Sequence, residues 1–186
     1  MSDKFTKDDF AYLQHVGEQI KPVLDGLDFE TYPWNLSYGS ALKIQPKDHA
    51  LWTVGGTSHR EENVGIHFEA QEFGALRLDI EIFPYKPKID AARFLELESN
   101  NVPKAQVMKE LREHLINNSE LMRHFIVKRG HYGHMTPSAC EAVRFTVLPE
   151  KKLDRNGYGE FCLDVVKRVA PLINDWLAKN KERWKF

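Results

Sequence analysis

Cysteine is scarce in this chain, with only Cys140 and Cys162 among 186 residues, and neither has a close second cysteine of the kind a zinc or redox motif needs. A disulfide framework is excluded, and reduced thiols are expected. No apolar run approaches membrane-spanning length, and the opening Met-Ser-Asp-Lys-Phe-Thr-Lys-Asp-Asp is too charged for a secretory signal. A cytoplasmic protein with no membrane contact is therefore expected. An excess of one charge sign is also missing: the formal net charge is −1, which does not suit a chain dedicated to nucleic acid or anionic lipid. There is no phosphate-cradling glycine loop, no serine elbow and no two-histidine metal helix. No cofactor is expected.

What is present suits one folded domain over residues 1–186, since 42% of the residues are apolar and 28% are charged. The most informative stretch runs from Gly65 to Phe83. Ile66, Phe68 and Ala70 alternate with His67, Glu69 and Gln71; Leu76, Leu78, Ile80 and Ile82 alternate with Arg77, Asp79 and Glu81. Strand side chains switch faces at every residue, so a hairpin that keeps its apolar residues together must pair positions of even sum. Pairing Gln71 with Ala75 satisfies this and leaves Glu72-Phe73-Gly74 as the loop, with Gly74 free to turn left-handed. Glu69 then faces Arg77, and His67 faces Asp79. The pattern predicts a sheet with one dry face and one wet face.

Thr6 with Asp9 makes a capping box for an N-terminal helix over about 7–24, loosened at Pro22. Pro33-Trp34-Asn35 reads as a break, and strands are predicted over 37–44 and 51–54. The segment from Gly55 to Glu62 reads as a mobile loop. Beyond the hairpin, Asp90 caps a short helix through Phe94, Leu95 and Leu97, and Pro103 begins another through Ile116. Strands follow over 124–128 and 142–148, joined by a loop containing Gly130, Gly133 and Pro137. Phe161, Val165, Val169, Leu172, Ile173, Trp176 and Leu177 mark one face of a C-terminal helix over about 159–180. Strands and helices come in runs, so the predicted fold is α+β, with a largely antiparallel sheet of five to six strands and helices packed on one face.

Four groups of residues could carry function. On the hairpin, Glu69, Asp79 and Glu81 with His67 have the chemistry of an acid-base or metal cluster, although the lysine of a nuclease pattern is missing. Cross-strand pairing accounts more economically for Glu69 and Asp79, and leaves Glu81 without a partner. His124, His131, His134 and Cys140 offer metal-ligand types around a loop, or a cysteine beside an activating histidine, yet lack a fixed spacing. Tyr85-Lys86-Pro87-Lys88 and the tail from Lys179 to Phe186 mix cations with aromatics, as nucleic-acid binders do and as helix ends also do. Trp34, Tyr38 and Trp52 could line a pocket or fill a core.

Without a catalytic signature, the expected function is that of a non-enzymatic interaction protein such as an inhibitor, immunity-type protein or adaptor. It would dock a protein partner through the polar sheet face at Asp79 and Glu81, or through the adjacent loop at His59 and Arg60. The alternatives are a metal-dependent hydrolase or nuclease and a nucleic-acid-binding accessory protein. The sequence says nothing of oligomeric state.

Overall fold

The computed structural model describes residues 4–37, 39–56, 63–83, 96, 99–118, 126–129, 134–136 and 139–186. A 3-10 turn, Lys7–Asp9, leads into α1 (Phe10–Asp25). As the sequence predicts, the Asp9 carboxylate accepts from the Thr6 N–H and hydroxyl, both at 2.9 Å. Next come β1 (Phe29–Leu36), β2 (Gly39–Pro46), a 3-10 turn (His49–Trp52), β3 (Thr53–Gly55), β4 (Asn63–Ala70) and β5 (Leu76–Phe83). Then follow α2 (Pro103–Ile116), β6 (Ile126–Arg129), β7 (His134–Thr136), β8 (Ala139–Leu148) and α3 (Tyr158–Asn180). The fold is α+β. Its sheet is antiparallel, with six strands in the order β1-β2-β4-β5-β8-β6, while β3 pairs with β4 and β7 with β8.

The predicted hairpin register is the observed one. Glu69 pairs with Arg77, His67 with Asp79 and Ile66 with Ile80, and Gly74 takes φ +77° in the loop. Apolar residues of both strands, among them Phe68, Leu78 and Ile80, lie in the core with α1, α2 and α3. Tyr158 on α3 fixes the turn, its hydroxyl donating to the Ala75 carbonyl at 2.6 Å and the Glu72 carbonyl at 3.1 Å. Farther along the sheet, Trp52 packs on Phe29 and Phe68 and donates its indole N–H to Asn174 of α3 at 2.7 Å. Of the Trp34, Tyr38 and Trp52 group, Trp52 is thus a core residue. Tyr38 lies outside the described residues.

Several boundaries differ from expectation. Pro33 does not break the chain but sits within β1, paired across from Leu42. Proline is tolerated there because β1 ends the sheet and the missing N–H points outward. Leu51 and Trp52 belong to a 3-10 turn, so the strand predicted over 51–54 shortens to Thr53–Gly55. His134–Thr136, expected as loop, forms a short strand against Cys140 and its neighbours. Of the predicted helix at 90–97 only Glu96 is described, and it is helical; the loop residues 57–62 lie outside the described residues.

The first helix packs closely on the sheet edge at Gly17, where a β-carbon would lie 3.2 Å from Thr31 Oγ1 and 3.3 Å from Leu42 Cδ1. At Gly39 a β-carbon would collide with the Phe5 carbonyl oxygen, a backbone atom that cannot step aside. Gly39→Ala should therefore cost about 1–3 kcal/mol, the usual penalty of an overpacked site. Urea denaturation of the two proteins measures it, and an unchanged midpoint would show that the N-terminal segment yields freely.

Candidate functional site

The polar side of the central hairpin holds the densest set of ionisable side chains described. It is not wet. His67, Glu69, Arg77, Asp79 and Glu81 are all buried, Asp79 to 0% exposure and Glu69 to 2%, on strands whose other face is the hydrophobic core. The expectation of a solvated face is overturned, and with it the use of Asp79 and Glu81 as an exposed docking surface. Alternation reports which residues share a face; it does not report whether a second layer covers that face.

Strand pairing brings the groups together. Trp34, Lys43, Glu69, Arg77 and Asp79 come from β1, β2, β4 and β5, with Lys43 across from Glu69 and Glu69 across from Arg77. One Arg77 nitrogen, Nη2, donates to Glu69 Oε2 and to Asp79 Oδ2, each at 2.7 Å, while Nη1 donates to Gln71 Oε1. The Trp34 indole N–H donates to Glu69 Oε1 at 3.2 Å. Glu81, which cross-strand reasoning left alone, has its carboxylate 3.9 Å from His67 Nδ1. Of the two charge pairs predicted from register, Glu69 with Arg77 is present as a buried ion pair, while Asp79 bonds to Arg77 of its own strand and His67 lies beside Glu81. Removing one partner of a buried pair is far costlier than at a surface, because it strands a charge.

One guanidinium lies between two carboxylates, so a proton is favoured on the pair. Burial pushes the Glu69 carboxyl up to about 8, reinforced by the Asp79 charge beside it and opposed by Arg77. A protonated Glu69 donates to Asp79 while Arg77 neutralises the shared negative charge. This arrangement can hold a proton near neutral pH. With every member buried, however, it offers no described atom to a substrate, which sets it apart from an open acid-base site.

His67, Glu69 and Asp79 also present ligand atoms within 4.8 Å of one another, enough types and proximity for a divalent ion. Arg77 is closer to both carboxylates than that spread and already supplies a cation. A metal would have to displace it.

Of the remaining candidates only two fall in described strands. His134 and Cys140 lie on adjacent strands, His134 across from Glu141 and Cys140 across from Met135. His124, His131, His59 and Arg60 lie outside the described residues, as do Tyr85, Lys86, Pro87 and Lys88. Cys162 is buried, and its thiol is pushed up to about 12 by desolvation, so it is no nucleophile. Three of the C-terminal cations make contacts within the fold. Lys179 pairs with Asp175 at 2.8 Å, Lys181 donates to the Ala50 carbonyl, and Arg183 pairs with Glu110 and stacks over Trp184.

Pairing reasoning missed the open end of the sheet. A cleft of about 350 Å³ lies between α1 and β1, lined in part by Gln14, Glu18, Lys21, Thr31 and Pro33. Tyr32, on the other face of β1 with Trp34, is 60% exposed. No described helix is long and apolar enough to cross a membrane. Comparison with protein-family models, curated proteins and solved structures finds no match to this chain.

The raised Glu69 carboxyl has a consequence for stability. In the unfolded chain this group ionises near 4.5, in the folded chain near 8, so the folded state holds the extra proton between those values. Its contribution is complete below about pH 4.5 and is lost as pH rises towards 8, with a slope of at most about 1.4 kcal/mol per pH unit. Glu69→Gln should flatten this stretch of the stability-pH curve and make the variant the more stable protein at pH 8.5. Denaturation across pH 5–9 checks it, and equal slopes in both proteins would contradict the shared proton.

Proposed function

We propose that this chain is a non-enzymatic interaction protein that docks a protein partner along the outer edge of β1. The observation that carries the reading is the end strand itself: among the described residues β1 pairs only with β2, and Tyr32 upon it is 60% exposed. A single exposed apolar residue is ordinary, but an end strand also offers a row of backbone donors and acceptors to an incoming chain. An inhibitor, immunity-type protein or adaptor working in the cytoplasm fits it. Strand addition supplies affinity through main-chain hydrogen bonds, and neighbouring side chains supply specificity.

The polar hairpin face does not compete for this role, because its charges are spent on one another inside the fold. A photo-reactive side chain introduced at position 32 should form a covalent adduct with another protein in cells, and the same group at exposed Glu150 should not. Equal labelling from both positions would remove the β1 edge from consideration.

A metal-dependent hydrolase is the second reading, favoured by the proximity of His67, Glu69 and Asp79. Tag-free protein dialysed against buffer with equimolar zinc or manganese should retain well under one ion per chain. Retention of one ion, lost in Asp79→Asn, would move the assignment to the buried cluster.

A further inference from the structure

We propose that the occupant of the β1 edge is a second copy of this chain, paired antiparallel through β1 about a two-fold axis at Tyr32. The proposal rests on the docking reading above and names its partner.

The phase of the ladder decides which groups are available. Lys47 N donates to the Asp28 carbonyl at 2.8 Å, so the pairs that exchange hydrogen bonds with β2 are those of the even-numbered β1 residues. The N–H and C=O groups of Phe29, Thr31 and Asn35, and the C=O of Pro33, point outward. Among the described residues β1 is the end strand, paired only with β2. Proline at 33 costs nothing within the sheet, because its missing donor falls on the outer side.

Two copies in full overlap place Phe29 opposite Asn35 and Thr31 opposite Pro33, each pair occurring twice. Each Pro33 forfeits one donor, which leaves about six backbone bonds across the axis. Sliding the partner by two residues either way loses further bonds. One direction centres the pair on the two prolines, and a larger slip the other way sets Glu30 against Glu30. Full overlap instead sets Glu30 opposite Trp34 and Tyr32 opposite its own copy, in the closer, non-hydrogen-bonded spacing where an aromatic pair contributes most. Tyr32, the most exposed large apolar side chain described, is thereby covered.

Charge permits the approach. Along α1 beside the edge, Glu18, Lys21 and Asp25 alternate in sign, and Asp25 is already paired with Lys47 at 2.8 Å. Two such stripes meet without repulsion of a single sign. A two-fold contact of this kind uses the same edge on both copies and closes, so it yields a dimer rather than a fibre.

Sedimentation of the full chain at rising concentration should show a reversible monomer–dimer equilibrium. Tyr32→Lys, at an exposed site, should leave the thermal melt unchanged and weaken dimerisation at least tenfold by setting like charges on the axis. Register is read by cysteine. Under mild oxidation Tyr32→Cys should yield a cross-linked dimer, since facing residues in a non-hydrogen-bonded pair lie about 4.5 Å apart at Cα, within disulfide reach. Glu30→Cys should not, because the two copies of residue 30 lie several residues apart along the strands. A chain that stays monomeric to about 1 mM, or cross-links equally from both positions, overturns the proposal. If position 32 labels only a foreign protein, the second copy is ruled out while the docking edge stands; if it labels nothing, both fall.

Discussion

Arg77 held between Glu69 and Asp79 is the interaction on which the middle of this fold depends. The β4–β5 hairpin has its apolar side chains against three helices and its ionisable ones buried on the opposite face, so the sheet is covered on both sides at its centre. Antiparallel sheets often leave one face to water, where charges need no partners. Here the charges are enclosed, and each must be neutralised or protonated to be tolerated. A guanidinium bonded to two carboxylates, with a proton between them, meets that requirement with few groups. The pleat places Arg77 and Asp79 on the same face of β5, two residues apart, and the register brings Glu69 directly across. Register and ion network therefore specify one another. A one-residue slip would turn these charges into the helical core.

The same enclosure separates chemistry from access. A carboxyl pair with a raised pKa is a familiar marker of catalytic sites, but the marker is informative only where a substrate can reach it. Glu69 and Asp79 take part in a network that holds four strands in place, Trp34 reaching in from the end strand and Lys43 lying across in β2. Among the described residues, outward-pointing backbone groups lie instead at the β1 end, with Tyr32 exposed upon it. Pro33 limits what this edge can pair with, as edge prolines commonly do, and leaves Phe29, Thr31 and Asn35 as its donors.

Much of the fold was legible because local rules and long-range packing agree. The hairpin register followed from parity alone, the capping box at Thr6 and Asp9 from spacing, and the helices at 103–116 and 158–180 from Pro103 and the apolar stripe that starts at Phe161. Reading failed where context overrides a local signal. Pro33 is a breaker in a central strand and harmless at an edge, and no local pattern says which strand will be last. Tyr158 gives no sign in sequence that its hydroxyl will close a turn more than eighty residues earlier, since that bond exists only once α3 crosses the sheet.

By itself the sequence determined the two faces of the central hairpin, its register and the pairing of Glu69 with Arg77, because strand geometry alternates with a fixed period of two. Tertiary structure alone decided that both faces are buried. That changed Glu69, Asp79 and Glu81 from a solvated surface into an internal ion network, and made β1 an open edge with Tyr32 upon it. The physical reason is that periodicity sets direction, whereas burial depends on which other elements arrive. Arrival is a property of the whole chain.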